Sequence, residues 1–230
     1  MRIRLAKSVY ALSSDVRELG RLQGKLGMLP FLLLCALMVR AFGADVQVLV
    51  KDQTGRPVEG AVIWAEGPQK KTLPAIQTEI VQKNRQFIPP VTIVPVGSIV
   101  RFPNWDNVQH HVYSFSTAKT FDIPLYIGQS PKAIEFERPG IVTLGCNIHD
   151  WMAAYVVVLD SGFFARTDER GVGVLRDLPA GSFSILGWCP RLRGAPVQAN
   201  LEGQSSAELT MKLRPAFQRT PPDERGGAYR

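Results

Sequence analysis

Beyond the first 44 residues, no stretch of this chain carries a long apolar repeat of 3.6 residues, so long amphipathic helices are excluded. Instead the chain is cut into short runs of valine, isoleucine and aromatic residues, punctuated by glycine, proline and aspartate. Val46, Val48 and Val50 alternate onto one face, and the turn Asp52-Gln53-Thr54-Gly55-Arg56-Pro57 follows them. Val58 to Ala65 is a second run, closed by Gly67-Pro68. Further runs lie at Val91 to Val94, Ile99 to Phe102, Val112 to Phe115, Ala133 to Phe136, Gly140 to Leu144 and Ala154 to Leu159. Runs of this kind with turn signals at intervals of about 8 to 12 residues predict a β-sandwich. The chain past residue 44 is therefore expected to be all-β.

The texture of the runs divides the chain. Gln69 to Thr78 is polar and reads as a connector, and a block of closely spaced β-branched runs occupies 76–159. After Phe163 come a hairpin turn over Phe164 to Gly171, a run Val172 to Leu175, a turn Asp177 to Gly181 and a strand Ser182 to Trp188. Leu209, Met211 and Leu213 alternate in a last strand, and 215–230 reads as a disordered tail. The runs at either end are too few to close a sandwich alone, but 45–75 together with 160–214 would make one. Asp52-x-x-Gly55-x-Pro57-Val58 near the start, with Thr167-Asp168-x-x-Gly171 and Leu178-Pro179-Ala180-Gly181 near the end, resembles the carboxypeptidase-regulatory, transthyretin-like module. That resemblance implies an Ig-type sandwich in which 76–159 is inserted. Two tandem pieces are the alternative.

The first 44 residues read as an export signal: a basic start, the apolar run Leu26 to Val39, then Ala41-Phe42-Gly43 as a small-x-small cleavage site. The run is shorter than the roughly 20 residues a spanning helix needs. The long basic region and Pro30 leave an uncleaved anchor as the alternative, which would be the only link to a membrane. Export places the protein outside the cytosol, in a bacterial periplasm. The net charge of +7 concentrates in this segment and in the tail arginines Arg214, Arg219, Arg225 and Arg230. The body between them is neutral on balance and offers no basic patch for nucleic acid.

The densest chemistry is Cys146-Asn147-Ile148-His149-Asp150-Trp151-Met152, which sets a thiol, an imidazole and a thioether at Cys-x2-His-x2-Met spacing. Soft sulfur with imidazole suits copper, and a His2Cys set with a long axial Met is that of a blue-copper electron-transfer centre. Zinc accepts such ligands too, although the thioether and thiolate favour copper. A second histidine is required, and the only others in the chain are the neighbours His110 and His111. There a strand ends at Phe102, a polar loop turns, and His110 opens the next strand. The rival reading is a disulfide between Cys146 and Cys189, the two cysteines left after export.

Phe102-x-Asn104-x5-His110-x-Val112 together with the Cys-x2-His-x2-Met loop resembles the cupredoxin family, which includes plastocyanin, pseudoazurin and amicyanin. The resemblance covers roughly 87–159 and implies a Greek-key β-sandwich with one type 1 copper. It assigns the metal to His110, Cys146, His149 and Met152, with His111 beside the site, and the short loop looks most like that of amicyanin. The stretches His-His-Val-Tyr-Ser-Phe-Ser and Gly-Cys-Asn-Ile-His-Asp-Trp-Met are also similar to those of periplasmic methylamine utilization proteins. Cys189 departs from them, a histidine being expected there.

The function expected is one-electron transfer to and from a transient protein redox partner. Four protein ligands leave no position for a small-molecule substrate, so an enzyme is not expected. Ile148, Trp151, Ala153 and Ala154 around His149 are the expected docking patch. The alternatives are a copper carrier or buffer, disfavoured by the lack of Met-rich or His-rich tracts, and a structural binding module.

Overall fold

Alternating burial marks the strands directly. In β1 (Ala44–Asp52) Val46, Val48 and Val50 are buried while their neighbours are not, the period of two expected when one strand face meets a core. The computed structural model describes residues 43–215. The export segment expected at 1–44, apart from its last two residues, and the tail expected after Pro215 lie outside the described residues. The strands continue as β2 (Val62–Glu66), β3 (Gln77–Glu79), β4 (Val81–Lys83), β5 (Gln86–Ile88), β6 (Val91–Pro95) and β7 (Ser98–Arg101). Then come β8 (His110–Ser116), β9 (Lys119–Tyr126), β10 (Ile134–Phe136), β11 (Gly140–Gly145) and β12 (Ala153–Leu159). The last are β13 (Phe164–Arg166), β14 (Val172–Leu178), β15 (Ser182–Trp188), β16 (Val197–Glu202) and β17 (Ser206–Met211). Among the described residues there is no helix, and the fold is all-β.

Strands from both ends of the chain build the first hydrophobic core. One sheet has the order β14-β1-β17 and another β13-β2-β15-β16. Between them lie Val48, Ile63, Leu175, Ile185, Leu209 and Met211, all essentially inaccessible to water. The second core, around Phe102, Val112, Phe136, Leu144 and Val156, belongs to the sheets β10-β7-β3 and β6-β12-β11-β8-β9.

The two cores share a layer. In β12 Ala154, Val156 and Val158 face the second core, while Val157 and Leu159 face the first. Buried on both faces, this strand has no polar side to show, which is why its sequence is an unbroken apolar run. Each valine of that run taken fully from water contributes about 1.5–3 kcal/mol. The Tyr155–Trp188 ring pair, with centroids 5.1 Å apart, ties β12 to β15 across the same boundary.

Several expected elements need correction. The polar connector ends early, because Gln77 and Thr78 already belong to β3, paired in parallel with β7. Phe164 to Gly171 is not a single hairpin turn: its first residues form β13, which pairs with β2. β14 extends through Asp177 to Leu178, where a turn was expected, and Ala44 of β1 pairs with Leu178. Strands β9 and β16 lie outside the runs recognised above. Pro124 interrupts β9, and the sheet tolerates it because β9 is an edge strand.

Candidate metal centre

His110 is the first residue of β8, and alternation in that strand sends His110, Val112 and Ser114 inward, all fully buried. His111 must therefore point to the opposite face. It does so, half-buried, with Nε2 2.9 Å from Oδ1 of Asp122 on the exposed side. Backbone alternation thus separates two histidines that are adjacent in sequence.

Cys146 follows the last residue of β11, Gly145, which pairs with Tyr113 of β8, so the thiol emerges beside the His110 strand. The chain then turns back: the N–H of Met152 donates to the His149 carbonyl at 2.9 Å, and β12 starts at Ala153. This turn returns His149 over Cys146. The ligating atoms of His110, Cys146 and His149 all lie within 4.8 Å of one another. Nδ1 of His110 is 3.1 Å from Nδ1 of His149, and the Cys146 sulfur is 3.7 Å from the latter. Met152 is buried in the same core as Cys146.

The trio fits a first-row ion. Two imidazole nitrogens and a thiolate held tetrahedrally at ordinary bond lengths lie about 3.3 Å (N to N) and about 3.6 Å (S to N) apart. Two of the three separations, 3.1 and 3.7 Å, need only small adjustments, and the third lies within 4.8 Å. The donor set, two imidazoles and one thiol, with a thioether buried in the same core, suits copper.

Neighbouring groups bias the protonation of each candidate ligand. Asp106 Oδ2 lies 2.7 Å from His110 Nε2. A carboxylate only accepts, so Nε2 carries a proton and Nδ1 is the nitrogen that faces Cys146 and His149; against the pull of burial, Cys146 and Asp106 raise the His110 ring above its ordinary range. Burial would raise the Asp106 carboxyl, but the Arg85 N–H, the His110 ring and the Asn84 N–H together hold it below its ordinary range. Burial likewise opposes ionisation of Cys146, and His110 with the backbone N–H groups of His111 and Ile148 outweighs it, lowering the thiol. His149 is lowered by burial first and by the neighbouring His110 and Arg85 second, which favours its neutral, ligating form.

Cys146 and Cys189 are both free thiols, so the disulfide reading fails; they sit in different cores. The expected docking patch is smaller than the sequence suggested. Ile148 is exposed, but Ala154 is fully buried as an inward residue of β12. Trp151 is half-buried against the second core, its indole N–H donating to the Arg85 carbonyl at 3.1 Å. Sequence reasoning missed Asp106. A carboxylate four residues before His110 is its only local signal, and that is weak.

No protein-family model matches the chain, and no curated protein matches it. Among solved structures, a purple cupredoxin from Nitrosopumilus maritimus is similar at 23% identity over 36% of this chain and 99% of that one, with a TM-score of 0.32. A Cu(I) form of an amicyanin variant is similar at 21% identity over 41% of this chain and 98% of that one, TM-score 0.32. A Cu-containing nitrite reductase from Thermus scotoductus SA-01 is similar at 21% identity over 48% of this chain and 28% of that one, TM-score 0.34. These likenesses are partial and reach no further than the fold.

Proposed function

We propose that His110, Cys146, His149 and Met152 hold one copper ion and that the protein is a periplasmic one-electron carrier between redox partners. The observation that carries this reading is the convergence of two imidazole Nδ1 atoms and one thiol, from segments 39 residues apart, within 4.8 Å. Copper bound there supplies reversible one-electron exchange. The chain's own contribution is rigidity and exclusion of water. His110 is inaccessible to solvent and Cys146 nearly so, and both are set at strand ends inside a packed core. Met152 adds a soft thioether to the set. His149 is the half-exposed member, and with exposed Ile148 beside it in sequence it marks the surface a partner approaches. The neutral body favours a brief, largely apolar encounter over electrostatic capture.

The same reading takes 45–75 with 160–214 as an Ig-type sandwich around the copper domain at 76–159. Separate cores support that division, although β12 serves both. Voltammetry of the copper-loaded full chain, followed by mixing with a Cu(I)-accepting chelator, tests the function. A reversible one-electron wave with copper retained is expected. Rapid transfer of copper to the chelator without a reversible wave would instead make the protein a copper carrier.

A further inference from the structure

The turn between β4 and β5 touches both segments that bring ligands to the centre. Lys83 pairs with Gln86, which leaves Asn84 and Arg85 as the two turn residues. Both have φ of 54°, as the mirror-image hairpin turn requires at its two central positions. Non-glycine residues in this region are uncommon and persist where their surroundings hold them. Here the surroundings are specific. The Asn84 N–H donates to Oδ1 of Asp106 at 2.7 Å and the Arg85 N–H to Oδ2 at 2.8 Å. The same Oδ2 accepts from His110 Nε2 at 2.7 Å. The Arg85 carbonyl accepts from the indole N–H of Trp151, whose ring centroid is 5.2 Å from that of His149.

We propose that the Asn84–Arg85 turn is the positioning element of the centre. Its two N–H groups fix the Asp106 carboxylate, and the carboxylate fixes both the tautomer and the rotation of the His110 ring. Its carbonyl fixes Trp151 and, through it, the loop from Cys146 to Met152. His110 is fully buried, so with the carboxylate in place its Nε2–H depends on Asp106 for a partner. Histidines that ligate metals depend on such partners for orientation. The value of the brace to copper rests on the proposed function; its effect on the His110 tautomer does not.

The test uses the full chain in two states. Long-range 15N–1H NMR of the metal-free protein reads the His110 tautomer, and copper titration with EPR reads affinity and hyperfine splitting. Arg85→Gly keeps both the N–H and the positive φ and is expected to keep the single His110 tautomer. Arg85→Pro removes the N–H and forbids that φ, and Asp106→Ala removes the carboxylate. Both are expected to mix the His110 tautomers, weaken copper binding about 10- to 100-fold and change the hyperfine splitting. Trp151→Phe removes the indole donor while keeping an aromatic ring, and is expected to change the hyperfine splitting while leaving the tautomer intact. If Arg85→Pro does not fold, Asp106→Ala decides the link from the turn's N–H groups to His110 and Trp151→Phe the link from its carbonyl to the Cys146–Met152 loop. A single tautomer and copper affinity within twofold of the unsubstituted protein in Asp106→Ala would overturn the proposal. Failure of the unsubstituted protein to take up copper would sink the proposed function instead, with the tautomer measurement still deciding the brace.

Discussion

Asn104 is where a single substitution should cost the fold and the centre together. Its side chain is 2% exposed and spans the loop that leads to His110. Nδ2 donates to the carbonyls of Val108 and Tyr126, each at 2.8 Å, and Oδ1 accepts from the Asp106 N–H at 2.9 Å. Asn104→Ala removes all of these and strands their partners. The Tyr126 bond is buried, so its carbonyl loses its partner outright, at about 1–3 kcal/mol. The other two bonds are partly buried, where water recovers some of the loss, so each contributes about 0.5–1.5 kcal/mol. Together they predict a loss of about 2–6 kcal/mol. Urea unfolding of the metal-free full chain, followed by tryptophan fluorescence, reads this as a lower midpoint at unchanged slope. Asn104→Asp sharpens the test, because a carboxylate facing two carbonyls cannot donate to either. It should be at least as damaging as alanine at neutral pH and partly relieved in acid, where the protonated form regains one donor. A loss below about 1 kcal/mol for alanine, or a milder effect for aspartate, would refute this account of the loop.

His111→Ala removes the histidine that β8 turns away from the centre and should leave copper binding unchanged, whereas His110→Ala should abolish it; equal effects in a titration would contradict the strand alternation. Tyr126, whose hydroxyl donates to the Phe102 carbonyl and accepts from Gln82 Nε2 at 2.6 Å, is pushed up to about 12, chiefly by burial. Its folded value lies above the unfolded one, so its stabilisation is complete below pH about 10 and is lost as pH rises toward 12, a change on the order of 2–3 kcal/mol. Tyr126→Phe should flatten that part of the stability-against-pH curve, and an unchanged slope would show that the phenol is not the cause.

Much of this architecture was legible in the sequence, because alternating burial and turn residues are local signals. Val46, Val48 and Val50 announce β1, and Ser182 to Trp188 was bounded correctly as β15. The spacing of Cys146 and His149 pointed to one cluster, and the fold brings both beside His110. What escaped depends on partners distant in sequence. The apolar run of β12 cannot reveal that it faces two cores, and so Ala154 was assigned to a surface from which it is absent. The edge position that lets β9 keep Pro124 is a property of the assembled sheet. Asp106 meets Asn84 and Arg85 only through long-range folding, at separations of 22 and 21 residues.

The most direct test of the copper assignment is the visible absorption spectrum of the protein loaded with Cu(II), recorded beside Cys146→Ser. An intense blue or green thiolate-to-copper band in the unsubstituted chain, absent from the serine variant, is predicted. No such band in the unsubstituted chain, or one that survives loss of the thiol, would contradict a centre built on Cys146.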